Sequence, residues 1–201
     1  MKQSTFLFQF MMNPKTIGAV LPSSGFLGDK MIEGIDFNKA KYIVEYGAGT
    51  GAFTEKLLKK RKRKTVVLLV ENNKAFALLL QEKFKQEENV FIVHGSALNI
   101  EQHIKEFGIP YVDYVVSGLP FASLPQKISS GILVNTIKVL KNDGQFITFQ
   151  YTKCKKAFIK RFFNEIDIKR EYRNLPPAYV FSCTIPNRHM EGHNGVHNSN
   201  C

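Results

Sequence analysis

The chain has 201 residues, 44% of them hydrophobic, which suffices for one domain with a sizeable core and falls short of two ordinary ones. Its formal net charge of +11 points to a polyanionic partner, nucleic acid or an anionic membrane surface, and away from a small cationic substrate. Cys154, Cys183 and Cys201 are odd in number and widely spaced, so neither a disulfide scaffold nor a metal site is indicated, and a reducing cytosol is the expected setting.

The first notable element is the apolar stretch 6–12, which is too short to span a membrane and lacks a small-residue cleavage site. Beside Lys2 and Lys15 it suits an interfacial helix among lipid headgroups, or simple packing on the domain body. Apolar β-rich runs follow at 42–44, 66–70, 90–93, 112–116 and 146–149, separated by helical-period segments at 53–60, 76–84, 100–107 and 128–140. Two more strands, 167–172 and 179–185, form a hairpin-like pair without a clear helix between them. The alternation predicts a Rossmann-like α/β fold: a mostly parallel seven-stranded sheet, helices on both faces, and a C-terminal antiparallel strand. Residues 186–201 carry almost no large apolar side chain and read as a flexible polar tail. His189, His193 and His197 recur there every four residues, but Gly192 and Gly195 oppose a helix, so no metal is expected.

The chemistry concentrates where the first strand ends. Glu45 leads into Gly47-x-Gly49-x-Gly51 and then a helix, a turn in which glycine permits both positive φ and close backbone approach to a ligand. Glu71 closes the second strand, where a carboxylate accepts hydrogen bonds from both ribose hydroxyls of a nucleoside-type cofactor.

The segment Glu45-Tyr46-Gly47-Ala48-Gly49-Thr50-Gly51 resembles the first motif of class I S-adenosylmethionine-dependent methyltransferases more than the dehydrogenase loop. The resemblance implies that Glu45, Gly47, Ala48, Gly49, Gly51, Glu71 and Asn72 bind this cofactor. His94-Gly95-Ser96-Ala97 looks like the adenine loop, with Ser96 where the family often has aspartate. Ser117-Gly118-Leu119-Pro120-Phe121 looks like the loop facing the methyl acceptor, which makes Ser117, Leu119, Pro120 and Phe121 the candidate catalytic residues and Ser117 a further cofactor contact.

In enzymes that methylate adenine this last loop usually opens with Asn or Asp, which pairs with the exocyclic amine of a flipped base while an aromatic stacks on it. Ser117 departs from that pattern. With Pro22-Ser23-Ser24 and Asn174-Leu175-Pro176-Pro177-Ala178, it resembles the bacterial phospholipid N-methyltransferases, relatives of the rRNA adenine dimethyltransferases. That resemblance assigns 1–24 to an amphipathic segment and cofactor lid bearing Ser23 and Ser24, and 25–185 to the methyltransferase domain. It implies transfer to the amine of a phosphatidylethanolamine-type headgroup, by an enzyme peripheral on the inner membrane face. A headgroup that gains methyl groups becomes cationic, and cations bind aromatic faces, which marks Phe121, Tyr46, Tyr151 and Tyr179 as acceptor-site candidates.

Two basic surfaces accompany these motifs. Lys56, Lys59, Lys60, Arg61, Lys62, Arg63 and Lys64 read either as a solvated helix end or as a contact with anionic lipid or a phosphodiester backbone. Segment 153–163 interleaves cations with Phe158, Phe162 and Phe163, a pattern that suits a membrane interface and single-stranded RNA alike. Three functions stay open on the residues: a lipid amine methyltransferase, an rRNA adenine methyltransferase, and a basic binding module that has lost catalysis.

Overall fold

A computed structural model describes residues 23–185; the expectations for the N-terminal apolar stretch, the polar tail and its histidines lie outside the described residues. Helix α1 (Ser23–Ile32) comes first, followed by β1 (Tyr42–Tyr46), α2 (Ala52–Lys60), β2 (Val66–Glu71), α3 (Lys74–Lys83) and β3 (Val90–His94). A 3₁₀ turn at Ala97–Asn99 leads to α4 (Ile100–Glu106), β4 (Val112–Ser117), α5 (Gln126–Val139), β5 (Leu140–Gln150) and the single-turn α6 (Lys156–Ile159). Strands β6 (Glu165–Glu171) and β7 (Ala178–Thr184) complete the fold.

The strands form one seven-stranded sheet in the order β3-β2-β1-β4-β5-β7-β6, parallel from β3 to β5 and antiparallel where β7 joins β5 and β6. The expected architecture is therefore the observed one. Buried residues divide between the two faces of the sheet. On one, Val44, Leu68, Val115 and Phe146 pack against α4 and α5; on the other, Ile43, Val67, Leu69 and Ile147 pack against α1 and α2. Central strands buried on both faces explain the near-continuous apolar runs at 66–70 and 112–116. Edge strand β6 instead alternates, as one-sided burial requires.

Because β1 to β5 are parallel, their carboxyl ends share one edge of the sheet. The turn from β6 to β7 reaches the same edge, since Glu171 pairs with Ala178 and Gln150 with Tyr179. Helix α1 starts there too: Phe26 touches Arg173 beyond the end of β6, while Glu33, just past the helix, meets Lys169 further down that strand. The expected boundary after residue 24 thus falls inside the first turn of α1.

The basic run lies at the opposite edge. Helix α2 carries the chain from the glycine loop back to the start of β2, and there Arg61, Lys62 and Arg63 are bonded within the fold. Arg61, nearly buried, donates to the carbonyls of Thr65 and Glu88 at 2.7 Å each and meets Glu87 at 3.2 Å. Arg63 pairs with Glu88 at 2.6 Å, and Lys62 donates to the Asn38 carbonyl at 2.8 Å. Among the described residues, no helix is long and apolar enough to cross a membrane.

Candidate active site

The carboxyl ends of β1, β2 and β4 frame a cleft of ≈360 Å³, at the point where the strand order reverses. Its floor is the glycine loop. Gly49 sits at φ +56°, and a methyl group added to it would meet nothing within 4 Å, so its vacant side faces the open cleft. A ligand can therefore lie directly on this stretch of backbone. Next to it, the Gly118 amide donates to the Tyr46 carbonyl at 2.8 Å and the Gly47 amide to that of Val70 at 2.9 Å. A Cβ on Gly118 would stand 2.8 Å from the Gly47 oxygen, so the loops after β1 and β4 touch backbone to backbone.

Two carboxylates organise this floor. Glu71 accepts the Gly49 amide at 2.9 Å and the Asn73 amide at 2.8 Å, which ties the glycine loop to the start of α3. Asn73 in turn caps α3, its side chain accepting from Ala75 and Phe76. Glu45 lies wholly buried under the loop, where its Oε2 accepts the Thr54 hydroxyl at 2.7 Å and its Oε1 has no partner among the described residues. Burial pushes its carboxyl up to about 7; the Thr54 hydroxyl opposes the rise and the negative charge of Glu71 adds to it.

The opposite wall holds Gly95, Ser96 and Ala97. Ser96 turns its hydroxyl to its own loop, accepting Leu98 N–H at 3.2 Å, and its carbonyl lies 3.1 Å from Nε2 of the buried His103. His103, one turn into α4, supports this loop from behind. Leu124, Ile128 and Ile132 close the cleft with one apolar stripe running into α5.

Of the residues expected at the cofactor, Gly47, Gly49, Glu71, Asn72, Ser96 and Ala97 line the cleft together, and Leu119 and Pro120 line its acceptor side. Glu45 lies beneath them. Ala48 is buried in the core that includes α1 and α2, and the Gly51 backbone packs against Phe84 and Leu80, so these two shape the turn from outside the cleft. The side chains of Ser23 and Ser24 lie outside the described residues.

The four aromatic acceptor candidates are not among the residues that line the cleft. Phe121 is fully buried, edge-on to Phe146 at 5.8 Å, so neither ring face is free for a substrate. Tyr46 is also fully buried, with its hydroxyl 3.2 Å from that of Thr136. Both rings belong to the hydrophobic layer that Ile132 and Leu133 of α5 complete. Tyr151 and Tyr179 stand at the carboxyl edge beside the cleft without lining it; Tyr151 packs edge-on against Phe149, and Tyr179 lies beneath Lys153 and Arg170. Ser117 is buried as well and spends its hydroxyl on the Leu119 amide at 3.2 Å.

Sequence reasoning missed Asn73, Phe76, His103 and the α5 stripe. The spacing of Leu124, Ile128 and Ile132 was a readable sign of one helix face, and Asn73 of a helix cap. His103 carried no sign, since it acts through a loop seven residues away.

An acidic floor, a glycine backbone left open at Gly49 and an apolar far wall fit a nucleoside that carries a cationic sulfonium and ammonium. The fold agrees. It is shared with the T. thermophilus 16S rRNA N2 G1207 methyltransferase, solved with AdoMet and guanosine (TM-score 0.64, 17% identity, 86% of this chain and 45% of that one). It is shared also with the Burkholderia thailandensis 1,6-didemethyltoxoflavin-N1-methyltransferase, solved with S-adenosylhomocysteine (TM-score 0.67, 12% identity, 91% and 87% covered).

Sequence relatives narrow the assignment. The chain is 33% identical over 181 residues to an ornithine lipid N-methyltransferase of Singulisphaera acidiphila, covering 89% of this chain and 93% of that one. It is 30% identical over 119 residues to a probable ribosomal RNA small subunit methyltransferase A of Methanosarcina mazei, covering 59% of this chain and 40% of that one. The family model described as ribosomal RNA adenine dimethylase matches residues 1–175. The chain therefore belongs to the ribosomal RNA adenine dimethylase family, and it is an S-adenosylmethionine-dependent methyltransferase.

Proposed function

We propose that this enzyme methylates the amine of a membrane lipid headgroup, of the phosphatidylethanolamine or ornithine lipid type. The observation that carries this reading is the inward turn of the loop after β4. Ser117 is fully buried, its hydroxyl oxygen accepting the Leu119 amide, and Phe121 is fully buried in the core, so the side chains of these two residues offer a flipped adenine neither a hydrogen-bond partner nor a stacking surface. What the loop offers instead is the apolar pair Leu119 and Pro120 beside the cleft. The Singulisphaera relative supports the same reading, since the match covers nearly all of that lipid enzyme and less than half of the Methanosarcina rRNA enzyme.

An ammonium has no lone pair, so the amine must first lose a proton to water; S-adenosylmethionine, held by the cleft, would then supply the methyl group, its S–C bond breaking as the N–C bond forms and S-adenosylhomocysteine leaving. Glu71 and the Gly49 backbone would hold the donor, and Leu119 and Pro120 would keep water from the reacting nitrogen. The deciding experiment offers radiolabelled S-adenosylmethionine together with phosphatidylethanolamine, an ornithine lipid, rRNA and small amines in parallel. Label in the lipid extract is the expected result, and label in rRNA alone overturns the proposal.

A further inference from the structure

We propose that the β6–β7 turn, together with the first turns of α1, is the surface by which this enzyme docks on an anionic lipid bilayer; the inference rests on the lipid reading above and names the face that meets the membrane. The turn has its polarity inside out. Asn174 is buried, donating its side-chain amide to the Pro176 carbonyl at 2.7 Å and bonding to Tyr151, while its neighbours Tyr172 and Leu175 are 70% and 71% exposed. An ordered loop that anchors itself through a polar side chain and holds a leucine and a tyrosine in water presents them for insertion elsewhere. Phe26 of α1, 40% exposed, stands beside them under the guanidinium of Arg173 at 4.2 Å.

Charge selects the partner. Arg170 lies over Tyr172 at 4.6 Å and over Tyr179 at 5.2 Å, and Lys153 covers Tyr179 at 5.0 Å. Arg173 is neutralised by Glu171 at 2.9 Å, whereas no carboxylate is paired with Arg170 or Lys153 among the described residues. Exposed Tyr172 and Leu175, with the unpaired Arg170 over Tyr172 and the unpaired Lys153 over the neighbouring Tyr179, match the boundary between acyl chains and anionic headgroups. RNA fits less well. The rings of Phe26 and Tyr172 each already carry a guanidinium on one face, and Leu175 has no π surface for a base. The location adds a further argument, for this turn shares the carboxyl edge with the cleft, whereas the cations around Arg61 and Arg63 face the other way and are bonded within the fold. Docking here brings the cleft mouth to the headgroup layer.

The chain contains no tryptophan, so L175W and Y172W each install a single reporter, and L78W places one on α3 at the far edge of the sheet. With vesicles of equal parts phosphatidylglycerol and phosphatidylcholine, the emission of L175W and Y172W shifts to the blue and is quenched by brominated acyl chains, while L78W does not respond. A double variant, Tyr172→Asp with Leu175→Asp, lowers vesicle binding by about tenfold or more. It keeps wild-type methyl transfer to lipid dispersed in detergent micelles, where no bilayer has to be found. Unshifted L175W emission on sedimenting vesicles, an equal response from L78W, or a response to single-stranded RNA in place of vesicles each overturns the inference. Micelle transfer without L175W insertion sinks the docking face alone, and insertion without any transfer to lipid sinks the proposed reaction alone.

Discussion

The carboxylate of Glu71, at the end of β2, accepts the Gly49 amide at 2.9 Å, so one charged group fastens the loop after β1 and stands at the edge of the same cleft. Replacing it touches both duties. Glu71→Ala is expected to weaken S-adenosylmethionine binding by roughly 1–3 kcal/mol, measured by titration calorimetry. Glu71→Gln keeps an acceptor for one of the two amides and falls between. Unchanged affinity in both variants would remove Glu71 from the cofactor site.

Gly49 separates binding from folding. Its φ of +56° disfavours alanine by about 1 kcal/mol, a modest loss for the domain. The added methyl projects into the cleft where the ligand must approach, so Gly49→Ala is expected to lower cofactor affinity about tenfold or more. Paired measurements of thermal midpoint and affinity test this; a large drop in midpoint with normal affinity would contradict it.

Glu45 predicts a pH dependence of stability. Its folded carboxyl titrates at about 7 against an ordinary 4.5, so the folded chain holds this proton more tightly than the unfolded chain. The resulting contribution is complete below the lower value and is lost as pH rises through the upper one. Glu45→Gln escapes that loss, and cofactor-free variant is expected to exceed wild type by up to about 3 kcal/mol near pH ~8, with the gap closing toward pH ~4.5. Urea unfolding across this window checks it, and a gap that does not vary with pH refutes it.

Phe121 is expected to behave as a core residue. Phe121→Ala removes a fully buried ring packed on Phe146, at a cost of about 3–5 kcal/mol in unfolding free energy. At a temperature where the variant stays folded, its KM for the acceptor should stay near that of wild type. A raised KM with little loss of stability would return the ring to the acceptor site.

The floor of the site was legible because spacing alone carries it. A strand, three glycines at alternate positions and a carboxylate ending the next strand leave little freedom, and Gly47, Gly49 and Glu71 stand where that pattern puts them. The direction in which a loop aromatic points is a different kind of fact. Phe121 faces inward because Phe146, on another strand, is there to receive it, and Phe146 in turn stacks on Phe163 at 5.4 Å. No local pattern encodes that contact. Helix α1 was missed for a related reason: Gly25 and Gly28 lower its intrinsic propensity, and burial of Leu27, Met31 and Ile32 overrides them. The basic run left two readings open because charge density does not say which end of the sheet a helix terminates on.

The backbone contact between Gly47 and Gly118 limits how a fold of this kind can change its substrate. The loops after β1 and β4 are tied by the bond from the Gly118 amide to the Tyr46 carbonyl, so a substitution that shifted one would strain the other. Variation that preserves methyl donation is left to side chains hung on that frame, such as Leu119, Leu124 and Ile128. A lipid enzyme and an RNA enzyme can in this way share a donor site almost unchanged and diverge one side chain at a time.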